Sequence, residues 1–215
     1  MEIYSTEEQQ EEAIKSFFKE NGVQILVGAA LGLAGFTGWN MYVDSKIEAQ
    51  ENASMQFEEF IKVAGVETAK SELVDAELDS FVKAHGETGY AIFANLLAAK
   101  KAVEAGQLAT AETRLLSASK ETSEISLKGL VDIRLARVQI ALEKYDAALS
   151  TLASITESAY EARVAEIKGD ALLAQGKNTE ARQAYQTAAD KGGLDGNAIL
   201  KMKLQDLALS TNVAS

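Results

Sequence analysis

The sequence predicts an all-α protein, a single N-terminal transmembrane helix followed by a domain of repeated helical hairpins. Three observations carry this expectation. The segment Val23–Val43, VQILVGAALGLAGFTGWNMYV, has 21 residues and no charged side chain; at about 1.5 Å per residue it is about 31 Å long, close to the hydrocarbon thickness of a bilayer. Proline is absent from all 215 residues, which suits uninterrupted helices because proline breaks them. From Gly89 onward the chain repeats itself, with Gly106, Glu143 and Gly176 in equivalent places at spacings of 37 and 33.

Residues 1–22 form an acidic leader, with six carboxylates against Lys15 and Lys19. Ser5 with Glu8, or Thr6 with Gln9, has the spacing of a capping box, and Gly22 stands where a helix is expected to stop. Ala13, Ile14, Phe17 and Phe18 share one narrow apolar face. A short amphipathic helix is expected, lying on the membrane or against a neighbouring protein, and the acidity favours the protein. A solvated helix with a few apolar residues is the plainer alternative.

Residues 23–43 are the expected transmembrane helix. A helix buried in a soluble core rarely runs this far without a charged face, and Trp39 and Tyr42 close the segment as aromatic residues do at a membrane–water interface. A signal peptide has a basic leader, a shorter apolar region and a small-residue cleavage site. None of these is present, so the segment reads as an uncleaved anchor. Gly28 and Gly32 form a GxxxG pair that Gly35 and Gly38 extend into a small-residue face. Such a face admits a second membrane helix, although general glycine enrichment produces the same pattern. Lys15 and Lys19 before the span are matched by Lys46 and Lys62 after it, so charge does not orient the segment.

Residues 44–87 form a helical connector. Ile47, Ala53, Phe57, Phe60, Ile61 and Ala64 recur at helical spacing and extend the membrane helix outward, with Gly65 as its expected end. A second helix is expected over 71–84, with Leu73, Val74, Leu78, Phe81 and Val82 on its apolar face.

Residues 88–215 form the repeat domain. Counting from the three equivalent positions, Ala111, Ala148 and Ala181 follow by five residues. Ala99, Ala136 and Gly169 precede by seven, and Leu115, Leu152 and Tyr185 follow by nine. Small residues allow two antiparallel helices to approach, and the bulky one fills the space between them. The expected hairpins span 89–119, 125–155 and 158–190, with a capping helix over 197–209, which an array needs to cover its last apolar face. The pattern resembles the tetratricopeptide repeat, most clearly through Gly169, Gly176, Ala181, Tyr185 and Ala188. The first two units are relaxed at their turn and aromatic positions, and the terminal proline of that repeat is missing throughout.

Little in the chain supports an enzyme or a cofactor. It has one histidine, His85, and no cysteine, so thiol nucleophiles, zinc thiolate sites and disulfides are excluded. His85 reads as a helix C-terminal residue that favours the helix dipole. The glycines of GAALGLAG lie inside the apolar span, and KGGLDG lacks the strand and the Lys-Ser/Thr ending of a phosphate loop. The net charge of −11 argues against nucleic acid or anionic headgroups as the main partner.

Repeated hairpins do offer a concave face lined by the first helix of each unit. The register places Leu96, Lys100 and Val103, then Ile133, Arg137 and Ile140, then Glu166, Asp170 and Leu173 on it. That mixture suits an extended peptide or a partner helix. Packing between hairpins uses the same periodicity and is the competing use of the aliphatic members.

The opening MEIY, the leader's FFKENG ending, VGAALGLAGFTGW in the span and RLARVQ within DIRLARVQIALEKYDAALSTL are similar to the bacterial YfgM family, over nearly the whole chain. The resemblance implies a single-pass inner-membrane protein with a cytoplasmic N-terminus and a periplasmic tetratricopeptide-like domain. It further implies a non-enzymatic accessory subunit of the SecYEG translocon, acting beside the membrane-anchored chaperone PpiD to pass exported proteins to periplasmic chaperones. A link to the stress regulator RcsB through the cytoplasmic leader is the alternative it carries.

Overall fold

The computed structural model describes residues 7–66, 70–86 and 88–213, and every regular element among them is helical. In chain order these are α1 (Glu7–Gly65), α2 (Ser71–His85), α3 (Gly89–Glu104), α4 (Leu108–Glu121), α5 (Ile125–Ala141), α6 (Tyr145–Ala153), α7 (Glu161–Ala174), α8 (Asn178–Ala188) and α9 (Ala198–Val213). A 3₁₀ turn (Ser158–Tyr160) leads into α7, and a π turn (Ala189–Gly193) follows α8. The chain divides into two units, 1–52 and 53–215.

In the first unit, α1 passes through Gly22 without interruption, so the expected separate leader helix does not end there. Gly22 has no left-handed φ and forms no C-cap. Glycine inside a helix costs about 1 kcal/mol relative to alanine, too little to stop a helix whose apolar continuation begins at the next residue. The Ser5 and Thr6 members of the expected capping boxes lie outside the described residues. Among the described residues one helix, α1, is long and apolar enough to cross a membrane, and none of its most apolar stretch is buried within the protein. Leu26, Leu31, Phe36 and Met41 are all more than three-fifths exposed. A water-soluble protein does not leave such a surface uncovered, whereas lipid covers it without cost. At the far end Trp39 and Tyr42 stand with ring centroids 6.0 Å apart, and Lys46 Nζ lies 5.9 Å from the Tyr42 ring. An aromatic pair with a cation beyond it is what the polar boundary of a bilayer selects.

The second unit is a stack of hairpins. Its first layer joins the end of α1 to α2: Phe60 and Ala64 pack on Val74, Leu78 and Phe81, and this cluster takes in Ala91, Ala94 and Ala98 of α3. Gly65 ends α1 as expected, while Leu73, expected on the apolar face of α2, is half exposed. The next three layers are α3–α4, α5–α6 and α7–α8, close to the expected bounds. Each core borrows from the following helix. Ala99, Ala111 and Leu115 meet Val131, Leu135 and Val138 of α5. Ala136, Ala148 and Leu152 meet Ile167 of α7. Ala181 and Tyr185 meet Leu200 and Leu207 of α9. Stability is thus passed between neighbours, and α9 closes the series.

The three sequence-equivalent turns have one geometry. Gly106 N–H donates to Val103 O and Gln107 N–H to Ala102 O; Glu143 and Lys144 bond Ile140 and Gln139 in the same way, and Gly176 and Lys177 bond Leu173 and Leu172. This paired pattern is a Schellman motif, which needs a left-handed residue at its centre. Gly106 (φ 73°) and Gly176 (φ 77°) supply it at little cost; Glu143 adopts φ 61° in spite of its side chain. The small and large positions also meet as the register requires. Ala99, Ala136, Ala111, Ala148 and Ala181 are buried, as are Leu115, Leu152 and Tyr185.

Candidate binding groove

Helix α3 presents a stripe at i, i+3/i+4, i+7 because residues so spaced share one face. Phe93, Leu96, Leu97, Lys100, Val103 and Glu104 lie along it. Helix α5 supplies a second stripe of Leu127, Leu130, Arg134, Arg137 and Val138. Between them is an open groove of about 740 Å³, with Ala99 and Leu115 in its floor. Phe93 is 48% exposed, Val103 43% and Leu130 36%. These are large apolar side chains left to water by helices whose other faces are fully used in packing.

The charges sit along the rim. Lys100 Nζ and Lys101 Nζ are each 3.7 Å from a Glu104 carboxylate oxygen. Lys101 is otherwise drawn inward, donating to Val66 O at 3.1 Å. Arg134 and Arg137 are exposed and have no carboxylate partner among the described residues.

Of the nine side chains expected on the concave face, the structure brings Leu96, Lys100, Val103 and Arg137 together in this groove. Ile133 is buried in the α5–α6–α7 core, and Ile140 packs against the same cluster. Glu166 is buried and accepts from Arg163, Asn197 and Lys203 at 3.3, 3.0 and 3.3 Å. Asp170 accepts from Tyr185 Oη at 2.7 Å and Lys203 Nζ at 2.6 Å. Burial, and then the Asp170 carboxylate beside it, push the Tyr185 phenol above its ordinary range. Lys203 belongs to α9, so both third-unit acids are held by the capping helix. Leu173 is 38% exposed near the end of α7 and lies outside the groove lining.

Sequence reasoning missed Phe93, Leu97, Leu127, Leu130 and Arg134. Carrying one position through all three units favoured Ile133 and Glu166, whereas extending the stripe along each helix from Lys100 and Arg137 would have found the missing residues. His85 lies in the last turn of α2 with its ring 5.2 Å from Phe81. Among the described residues no group of three or more His, Cys, Asp or Glu is placed to hold a metal ion.

On the first unit Gly28, Gly32, Gly35 and Gly38 face open space: a Cβ built at any of them meets no neighbouring atom within 4 Å. Ile14, Phe17 and Phe18 are each more than half exposed and, with Ala13 and Gln10, form a shallow apolar depression.

Residues 15–209 match the family model of a tetratricopeptide repeat-like domain. A protein of Escherichia coli K12 named ancillary SecYEG translocon subunit is 32% identical over 97% of this chain and the whole of its own length. A Haemophilus influenzae protein of the same name is 36% identical, covering 95% of this chain and 99% of the relative. One from Neisseria gonorrhoeae is 29% identical over 94% of this chain and 97% of its own. No solved structure matches.

Proposed function

This chain belongs to the YfgM family of tetratricopeptide repeat-like proteins, and on that premise we propose that it is a non-enzymatic accessory subunit of the SecYEG translocon. It works by binding. The anchor holds the hairpin domain beside the channel, where a membrane-anchored chaperone of the PpiD kind and emerging polypeptides are both within reach. Being held there raises its effective concentration toward partners without new contacts. In this reading the leader is cytoplasmic and the hairpins are in the periplasm of a bacterial inner-membrane protein. Membrane lipid surrounds Val23–Val43, and Gly28, Gly32, Gly35 and Gly38 accept a membrane helix of the channel or chaperone.

The observation that carries the proposal is the open α3–α5 groove, whose apolar side chains are left exposed by the described residues of the second unit. Photo-crosslinking residues placed at Phe93, Leu130 and Gly32 in native membranes test it. Adducts to channel, chaperone or exported chains from Phe93 and Leu130 are expected. Adducts from Gly32 alone would remove the groove from the proposal. Lys100→Ala with Arg137→Ala supplies a second test, with loss of co-purifying chaperone expected. Asp170 is unsuited to such a test because its loss takes the acceptor from the Tyr185 hydroxyl and one of two carboxylates from Lys203.

The exposed Ile14, Phe17 and Phe18 favour one second reading, a leader that docks a cytoplasmic regulator such as RcsB. Deleting residues 2–20 separates the two. Regulation is lost and chaperone association kept if the leader acts in this way.

A further inference from the structure

We propose that the α3–α5 groove selects apolar polypeptide segments that carry carboxylates, an inference that rests on the binding reading above and names its occupant. The chain has five arginines. Arg114 is held by Asp75 and Asp79 at 2.9 and 2.8 Å, and Arg163 by Glu166 at 3.3 Å. Arg134 and Arg137 differ from these two, being exposed and without a carboxylate partner among the described residues. They lie three residues apart on one face of α5, and Lys100 faces them from α3 with only a long contact to Glu104.

An excess of cation therefore borders an apolar floor in a chain of net charge −11. Guanidinium groups present planar, paired donors that match a carboxylate, and beside an apolar wall they are less screened than on an open surface. A basic segment is repelled by the same groups, so the lining acts for one class of occupant and against another. The cationic stretch ends at the third hairpin, where the position equivalent to Lys100 and Arg137 is Asp170, already satisfied by Lys203 at 2.6 Å. The acceptor is thus confined to two hairpins and suits a short segment.

The test uses the full chain in zwitterionic nanodiscs and three fluorescein-labelled 14-residue peptides, identical in their Leu and Phe positions, with two Glu, two Gln or two Lys between them. Anisotropy should show the Glu peptide binding at least tenfold tighter than the Gln peptide and the Lys peptide weakest. R134Q/R137Q should make Glu and Gln equal, and R134E/R137E should reverse the order. Both side chains are exposed, so an unchanged melting curve is expected for the Gln pair, which keeps the test intact if the Glu pair folds poorly. Equal binding of Glu and Gln peptides to the wild type overturns the proposal, as does a preference that survives R134Q/R137Q. Arginine-dependent binding of phosphatidylglycerol vesicles or of a second copy, without peptide selectivity, overturns it too. If crosslinks from Phe93 to channel or chaperone persist while the peptides show no charge preference, the selectivity falls and the binding reading stands. Absence of both removes both.

Discussion

Tyr185 occupies the space that a side chain at Gly169 would need: a Cβ built on Gly169 lies 2.4 Å from both Cδ1 and Cε1 of the ring. In the first two hairpins the same pair of positions is Ala99 with Leu115 and Ala136 with Leu152. The third hairpin exchanges a methyl for a larger plug, and its phenol then reaches Asp170 at 2.7 Å.

Gly169→Ala should therefore cost about 2 kcal/mol through overpacking, and Tyr185→Leu in the same chain should relieve most of that clash. A double-mutant cycle read by urea unfolding should give a coupling of about 1 kcal/mol or more. Additive effects would mean that the two positions do not share one space.

Glu143 is the one described non-glycine residue at positive φ, in a turn that Gly106 and Gly176 form elsewhere. Glu143→Gly should stabilise the domain by about 1 kcal/mol, and Gly176→Ala should destabilise it by a similar amount. Thermal melts of the two variants should move in opposite directions.

Lys203→Met should destabilise the C-terminal layer by about 2–3 kcal/mol, because it leaves Asp170 and the buried Glu166 without their shared cation. The loss is smaller than for a fully enclosed pair, since Arg163 and Asn197 still donate to Glu166. Hydrogen exchange should show α9 loosening first, with the protection of α3 and α4 little changed, as expected of a nearest-neighbour array.

Glu124 caps α5 by accepting from Ser126 N–H at 3.0 Å and Leu127 N–H at 2.5 Å, and these bonds, the Leu127 one foremost, hold its carboxyl below the ordinary glutamate range. A carboxyl with a depressed folded-state pKa stabilises above its unfolded pKa, and the contribution fades as pH falls through the folded value. Glu124→Ala should lower the melting temperature at pH 7, with the gap from the wild type closing in acid below the normal carboxylate range. A gap independent of pH would remove the charged cap as its cause.

Gly32→Leu should leave the melt of the hairpin domain unchanged, because the position faces open space within the chain. It should reduce recovery of the channel or chaperone from solubilised membranes if the glycine face receives a partner helix. Equal recovery would reduce that face to glycine enrichment.

The amino-acid sequence alone determined the helical class, the span and the hairpin register. All three rest on short-range periodicity: an uncharged run of bilayer length, the absence of proline, and small and large residues recurring at 37 and 33. Such patterns are written in neighbouring residues and need no partner to be read. Tertiary structure decided which repeated positions remain open. Ile133 and Glu166 occupy the place of Leu96 in their units, yet Leu96 lines the groove, Ile133 is buried against α7, and Glu166 is closed over by Lys203 of α9 and by Asn197 just before that helix. Periodicity tells which face a residue shares, whereas exposure depends on what the following helix places over it, and that helix differs from layer to layer.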